Sequence, residues 1–332
     1  MANFSLHTFL ADPLPDGGTC AAIGFFDGVH LGHRFLIRQV TTEAARRGLQ
    51  PIAVSFEEHP RLALPNADYR PALLTTNAEK LRLLSQTGLS ACAMLHFDQQ
   101  MARLTSREFM ERILRNELSV RCLIVGYDHH FGSDTSARFD DYVRSGRDLG
   151  IDVVREQPFD AAGLRVSSSV VRRLLKEGDV ASAARCLGRP YTLEGTVVEG
   201  HHVGTPLGFP TANIRPDAPA QLIPQRGAYA VLADVDGQTF KAMLNIGQRP
   251  TLNNGDEETI EAHLLHYTGA PIYGHRLRIS FVQRLRPERR FDSLEALKAQ
   301  LAADAEEVER GVYKSPSPSP PEGEGAQPRL LF

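Results

Sequence analysis

The chain has 332 residues, 37 Lys and Arg against 40 Asp and Glu, a formal net charge of −3 and 42% hydrophobic residues. That length accommodates two domains, and the charge gives no electrostatic case for nucleic acid or an anionic membrane as partner. No apolar run reaches the length of a membrane span, and Met1–Gly18 lacks the basic start and long apolar core of a signal peptide, so a cytoplasmic protein is expected. Cys20, Cys92, Cys122 and Cys186 are scattered through apolar segments without C-x-x-C spacing, which suits reduced core thiols better than zinc ligands. In chain order, the first half alternates strand and helix. Cys20–Phe26 predicts a buried strand, and Arg34–Arg47 a helix closed by Gly48. Strands are expected at Ile52–Phe56, Ala91–Phe97, Arg121–Tyr127 and Ile151–Arg155, with helices at Ala78–Gln86 and Ser106–Leu118. Thr105 and Glu108 have the spacing of a capping box. Such alternation predicts an α/β domain with a doubly wound parallel sheet, whose ligands bind beyond the carboxyl ends of the strands. Two short helices, Ser169–Lys176 and Val180–Cys186, end this half near Gly188.

From Tyr191 the pattern changes. Tyr191–Val198, Tyr229–Val235, Thr239–Ile246, Thr259–His266 and His275–Leu285 predict strands, and Asp236-Gly237 a hairpin turn. A run of strands with Gly- and Pro-rich turns predicts a small antiparallel β-barrel. One C-terminal helix follows, Ser293–Arg310, with Asp292 as cap and Glu295 three residues on. Leu294, Leu297, Leu301, Ala305 and Val308 form a stripe that would dock on the barrel. Lys314–Phe332 is rich in Pro, Ser and Gly and reads as a disordered tail. The expected organisation is therefore 1–186, 187–312 and a tail at 313–332.

The most informative segment is Gly24-Phe25-Phe26-Asp27-Gly28-Val29-His30-Leu31-Gly32-His33, where a strand hands over to a helix. A helix N-terminus offers free N–H groups and the positive end of its dipole, which together attract phosphate. His30 and His33 are three apart and can face one side, and Gly28 and Gly32 remove bulk where a nucleotide would approach. Imidazole N–H groups can donate to a phosphate as charge builds in transfer. His30, His59, Asp128 and Ser167 all follow predicted strands, so they could converge. Ser167, Ser168 and Ser169 open a helix that carries Arg172; the serines could donate to phosphate, and the Arg could clamp it, although a serine cluster also serves as an N-cap. No Walker-type loop is present.

In the second half, Gly204-Thr205-Pro206-Leu207-Gly208-Phe209-Pro210-Thr211-Ala212-Asn213 leads a Gly- and Pro-fixed loop into a Thr and an Asn two apart. If extended, that stretch puts both on one face, as hard oxygen ligands suited to Mg²⁺. Glu261 could take a proton from a hydroxyl that attacks a γ-phosphate, or could simply decorate a strand.

These motifs in this order resemble the bifunctional prokaryotic riboflavin kinase/FAD synthetase family over roughly residues 5–312. They are F-D-G-V-H-L-G-H at Phe26–His33, E-E-H-P at Glu57–Pro60, G-Y-D-H-H-F-G at Gly126–Gly132, S-S-S-V-V-R at Ser167–Arg172 and L-G-R-P-Y at Leu187–Tyr191. In the second half they are G-F-P-T-A-N-I at Gly208–Ile214, N-I-G-Q-R-P-T at Asn245–Thr251, I-E-A-H-L-L at Ile260–Leu265 and Y-G at Tyr273–Gly274.

The resemblance implies an N-terminal nucleotidyltransferase domain that transfers AMP from ATP to FMN, and a C-terminal barrel that phosphorylates riboflavin with Mg²⁺ and ATP. ATP and the flavins riboflavin, FMN and FAD are then its small-molecule substrates and products, with no nucleic-acid or membrane partner, and the chain is a monomer or weak homo-oligomer. It implies that His30 and His33 hold ATP phosphates and stabilise charge in adenylyl transfer. Gly24, Phe26, Gly32, Asp128, Ser167–Ser169 and Arg172 complete that nucleotide site. In the kinase it implies Gly204, Gly208, Pro210, Thr211 and Asn213 for ATP, Thr211 and Asn213 for the metal, and Glu261 as base. The chain departs from the family pattern at Val203 and Thr205, where the kinase loop usually carries basic residues, and at His130, where Arg is common. Two alternatives stay open: an H-x-G-H nucleotidyltransferase for another substrate, whose chains usually lack the Gly-Phe-Pro-Thr-Ala-Asn barrel, and a flavin-binding protein with impaired kinase chemistry.

Overall fold

The computed structural model describes residues 4–9, 17–59, 72–126, 130–134, 136–159, 166–199, 209–251 and 255–311. Asp128, Val203, Gly204, Thr205, Gly208 and the segment 313–332 lie outside the described residues. Contacts divide the chain into two units: Met1–Gly195 with Pro216–Gln225, and Thr196–Arg215 with Arg226–Phe332.

The first unit is built on a six-stranded sheet of β1 (Phe4–Thr8), β2 (Thr19–Ile23), β3 (Gln50–Phe56), β4 (Ala91–Leu95), β5 (Val120–Val125) and β6 (Asp152–Arg155), in the order β1-β4-β3-β2-β5-β6. Five strands run parallel, and β1 closes one edge antiparallel to β4. The apolar runs are strands because both faces of the sheet are covered. On β2, Ala21 and Ile23 join one core, and Cys20 and Ala22 the other. The helices are α1 (Leu31–Arg47), α2 (Asn77–Leu84), α3 (Ser106–Phe109), α4 (Phe139–Leu149), α5 (Ser168–Lys176) and α6 (Val180–Leu187). The Thr105–Glu108 capping box is formed, but α3 continues as a π-helical stretch, Met110–Glu117, rather than a regular helix to Leu118. All four cysteines are buried, and none is in a disulfide.

The second architecture is a closed six-stranded antiparallel barrel: β7 (Tyr191–Val198), β8 (Ala212–Pro216), β9 (Gly227–Val235), β10 (Gln238–Thr251), β11 (Gly255–Leu264) and β12 (Arg276–Arg286), in the order β10-β11-β8-β7-β12-β9. The hairpin at Asp236-Gly237 has φ of 51° and 81°, the left-handed pair that a two-residue turn requires. Helix α7 (Leu294–Arg310) is capped by Ser293, whose side chain accepts from the N–H of Ala296 at 3.1 Å, not by Asp292. Its expected docking stripe is only half realised. Val308 is buried and Ala305 packs beside it against Ala230, Met243 and Leu265. Leu294 is 61% exposed, so the N-terminal end of the helix does not dock through it.

Three elements escaped the sequence reading. Strand β1 is a short, half-exposed edge, and β8 begins inside a stretch read as a Gly- and Pro-fixed loop. Helix α4 carries Gly146 mid-helix, which weakens the periodic signal. The reason for that glycine is spatial: a Cβ there would stand 2.5 Å from the carbonyl oxygen of Ile151 and 2.6 Å from a Val153 methyl. On an exposed helix Gly→Ala stabilises; here Gly146→Ala should destabilise by about 2 kcal/mol through overpacking against backbone. Urea unfolding at pH 7 checks the sign, and a higher midpoint for the variant contradicts it.

Candidate active sites

In the sheet unit, the chain leaving β2 makes a tight turn before α1. The N–H of Val29 donates to the carbonyl of Phe26 at 3.0 Å. Phe26 and Val29 both have positive φ, 52° and 40°, a costly backbone for a bulky and a β-branched residue. What holds it is Asp27, 3% exposed. Its carboxylate accepts from the N–H groups of Leu74 and Thr75 at 2.9 to 3.0 Å, from the Thr75 hydroxyl at 3.2 Å, and from Arg172, with which it forms a buried ion pair. Burial pushes this carboxyl up and Arg172 pulls it down. Every partner is a donor, so the ionised form is the one bonded here.

His30 caps α1: its Nδ1 accepts from the N–H of His33 at 3.2 Å. Its ring stacks on that of His33, centroids 3.6 Å apart and 17° between planes. His30 is 6% exposed, and burial pulls its pKa down from 6.5 to about 4. At neutral pH the ring is therefore neutral. With Nδ1 accepting, its proton sits on Nε2, which remains a donor.

A cleft of about 530 Å³ opens here, and it is lined by Gly24, Phe26, His30, Gly32, His33 and His59 on one side. Ser168, Arg172 and Gly126 also face it, with Glu156 and Phe159, which the sequence reading did not single out. The three serines separate. Ser167 is the N-cap of α5, accepting from the N–H of Val170 at 3.2 Å; Ser168 donates to the carbonyl of Asp27 at 2.9 Å; Ser169 is exposed and does not line the cleft. Arg172 also donates from Nε to the carbonyl of Ala72 at 2.7 Å. A Cβ at Gly32 would meet the His30 ring at 3.2 Å, whereas one at Gly28 would meet Leu74 at 2.9 Å. Gly28 thus makes room for protein and not for a nucleotide.

In the barrel, register assembles a row. Asn213 on β8 faces Glu261 on β11, which faces Asn245 on β10, which faces Ala228 on β9, which faces Arg286 on β12. Directly opposed residues share a sheet face, so the row brings these polar groups to one band of the barrel. Asn245 belongs to a quoted motif, but its placement beside Glu261 needs the strand register. Two pockets meet at Thr211. One, about 280 Å³, includes Glu261, Asn245, Arg286, Phe291, Leu297 and Leu301. The other, about 380 Å³, includes Pro210, Ala212, Tyr267, Ile272 and Tyr273. His263 holds the segment leading to Thr211, its Nδ1 lying 2.7 Å from the carbonyl of Pro210 and its ring against Phe209. Arg286 forms a bidentate pair with the buried Asp304 of α7, at 2.8 and 3.0 Å, and Gln300 donates to the same carboxylate at 2.6 Å.

With this geometry in view, comparisons with known proteins are decisive. A family model described as FAD synthetase matches residues 13–170, and one described as riboflavin kinase matches residues 187–312. The bifunctional riboflavin kinase/FMN adenylyltransferase of Escherichia coli strain K12 is 37% identical over 291 residues, 87% of this chain and 91% of that protein. The chain belongs to the bifunctional riboflavin kinase/FMN adenylyltransferase family. The member from Listeria monocytogenes is 34% identical over 304 residues, 91% of this chain and 95% of its own length. A crystal structure of a protein named as a macrolide-efflux protein from Streptococcus pneumoniae superposes with a TM-score of 0.81 at 28% identity, covering 90% of this chain and 96% of that one. Among the described residues of this family member, no helix is long and apolar enough to cross a membrane.

The depressed pKa of His30 has a consequence for stability. Between pH 6.5 and about 4 the unfolded chain binds a proton at this ring and the folded one does not, so stability is lost as pH falls through that window. The loss amounts to about 3 kcal/mol from this group. His30→Asn, which keeps a capping side chain, should unfold with a shallower pH dependence between pH 7 and 4.5. Parallel slopes in urea titrations of the two proteins would contradict the assignment.

Proposed function

We propose that adenylyl transfer occurs in the His30 cleft of the sheet unit and that riboflavin phosphorylation occurs across Thr211 in the barrel. As a member of its family, the chain phosphorylates riboflavin with ATP to FMN, then transfers AMP from a second ATP to FMN, giving FAD and pyrophosphate. The observation that carries the division is the barrel's geometry: Thr211 lines two pockets, and Glu261 lines only one of them. A kinase needs two substrates meeting end to end, with a base on the acceptor side.

The pocket with Glu261 combines that carboxylate with apolar residues, Met243, Leu244, Phe291 and Leu297 among them, against which a flat flavin ring can pack. In this reading ATP occupies the other pocket. Glu261 accepts the proton of the 5′-hydroxyl as that oxygen bonds to the γ-phosphorus and ADP leaves. Thr211 and Asn213 offer hard oxygens two residues apart, a donor set that fits Mg²⁺. When bound there, the ion supplies charge neutralisation for the phosphates.

In the sheet unit, a phosphate oxygen of FMN attacks the α-phosphorus of ATP, and pyrophosphate departs. His30, through Nε2–H, and His33 donate to the phosphates as charge develops. Gly24, Phe26 and Gly32 shape the cleft wall. Arg172 keeps donor capacity beyond its bonds to Asp27 and Ala72, and Ser168 lies beside it. Ser167 contributes by starting α5. Asp128, Ser169, Gly204 and Gly208 enter this proposal through the resemblance alone. The proposal also includes the domain limits 1–186 and 187–312, a cytoplasmic location, a monomer or weak homo-oligomer, and small molecules rather than nucleic acid or membrane as partners.

His33→Ala should lower FMN adenylylation by roughly 10²- to 10³-fold and leave riboflavin phosphorylation unchanged. Chromatography of FMN and FAD after incubation with each substrate separates the two rates, and an unchanged rate of FAD formation overturns the phosphate-binding role. Glu261→Gln keeps the shape without the base. Phosphorylation should fall by roughly 10²-fold or more, with adenylylation of supplied FMN intact. Two rates matching those of the parent protein would reduce Glu261 to a strand-face residue.

A further inference from the structure

Lys80 on α2 is one of the most deeply buried charged side chains described, 2% exposed, and the sequence reading gave it no role. Its ammonium donates to the carbonyl of Phe56, where β3 ends, at 2.9 Å, and to the carbonyl of Phe25, just past the end of β2, at 3.3 Å. The Phe25 carbonyl also receives the Ser55 hydroxyl at 3.2 Å. The same ammonium stands 4.2 Å from the centroid of the Phe25 ring. That ring meets His59 edge-on, centroids 4.7 Å apart. Phe25 and His59 both line the cleft.

A buried lysine is costly, so a fold that keeps one gains something from the charge or from its three donors. Packing alone would be served by leucine or methionine. Here the donors fix two strand-to-loop junctions on the cleft side of the sheet, and the cation holds a ring that lines the cleft. An ammonium desolvated behind a site for a polyanion also acts through low dielectric, where its field is weakly screened.

We propose that Lys80 is a positioning residue for adenylyl transfer, setting Phe25 and His59 in the cleft wall and placing a fixed positive charge behind the bound polyphosphate. This rests on the reading of the His30 cleft as the adenylyl-transfer site. Burial pulls the Lys80 pKa from 10.5 down to about 8. The titratable groups facing it are Asp27, already paired with Arg172, and the buried thiol of Cys92, pushed up to about 12. Around pH 8 Lys80 is therefore the member of this group that changes charge. Its neutral amine still has two N–H donors for the two carbonyls, so raising the pH removes the charge and leaves the donors.

The test measures kcat/KM for ATP in FMN adenylylation from pH 7 to 9.5, on the full-length wild type and on Lys80→Met. The wild type should show an alkaline fall centred near pH 8, carried by KM. Lys80→Met should be lower by roughly tenfold at pH 7 and should lack that limb, so that the gap between the two profiles narrows at high pH but does not close, since methionine lacks the donors that the neutral amine keeps. A folded Lys80→Met with the wild-type profile overturns the proposal. If Lys80→Met does not fold, the wild type alone decides, and a flat profile between pH 7 and 9.5 overturns it. His33→Ala run alongside separates the two ideas. Undiminished adenylylation in His33→Ala sinks the reading of the cleft, whereas a His33 defect with normal Lys80→Met sinks only the role of Lys80.

Discussion

The carboxylate of Asp27 gathers donors from two separate stretches of the sheet unit: the N–H groups of Leu74 and Thr75 with the Thr75 hydroxyl, and the guanidinium of Arg172 on α5. The backbone around it is bent in a way that Phe26 and Val29 would not adopt alone. A desolvated carboxylate without partners would be ruinous in free energy, so the turn, the 72–75 segment and the start of α5 are held to a single arrangement by the need to satisfy it. His30 then sits at the head of α1 with one nitrogen committed to the cap and the other left as a donor. The position of His30 in the cleft thus depends on a buried charge one turn before it.

The barrel reaches a comparable end by different means. Its polar band is assembled by register, from Asn213 on β8 through Glu261 on β11 and Asn245 on β10 to Arg286 on β12, with Ala228 of β9 between the last two. A one-residue slip of β11 would turn Glu261 to the opposite face, so antiparallel pairing itself specifies the site. The Arg286–Asp304 pair ties β12 to α7, and Leu297 and Leu301, one turn apart on that helix, form part of the pocket wall instead of the barrel core. This explains why, of the expected stripe, only Val308 is fully buried.

Much of this was legible in the sequence, and what was not shares a cause. Continuous apolar runs such as Thr19–Ile23 mark strands covered on both faces, and the motif from Gly24 to His33 marks the turn into α1. The edge strand β1 alternates Phe4 and Leu6 with Ser5 and His7 over only five residues and buries too little to leave a strong pattern. Helix α4 is interrupted by a glycine whose need arises from a neighbour in space, Ile151. The three serines read alike as a string, yet one caps, one bonds a carbonyl and one is exposed, because a helix start turns successive side chains through 100°. Lys80 and Asn245 could not be assigned from local sequence, since their partners lie far off in the chain, past the end of β2 and at the end of β3 for Lys80 and on β11 for Asn245.

The segment Pro216–Gln225 groups with the sheet unit although the residues on both sides of it group with the barrel. There the N–H of Leu222 donates to the carbonyl of Leu73 at 2.8 Å, the N–H of Leu73 donates to the carbonyl of Ala220 at 2.7 Å, Tyr191 donates to the carbonyl of Leu222 at 2.6 Å, and Gln221 donates to the carbonyl of Thr192 at 2.8 Å. By contacts the polypeptide passes from one unit to the other three times, and the proposed limit at 186/187 marks the change of sequence pattern rather than one of these crossings. A ribosome emitting this chain has released the last residue that completes the sheet unit only after β8 has already emerged, which makes the two units interdependent in the order of their synthesis even though each has a core of its own.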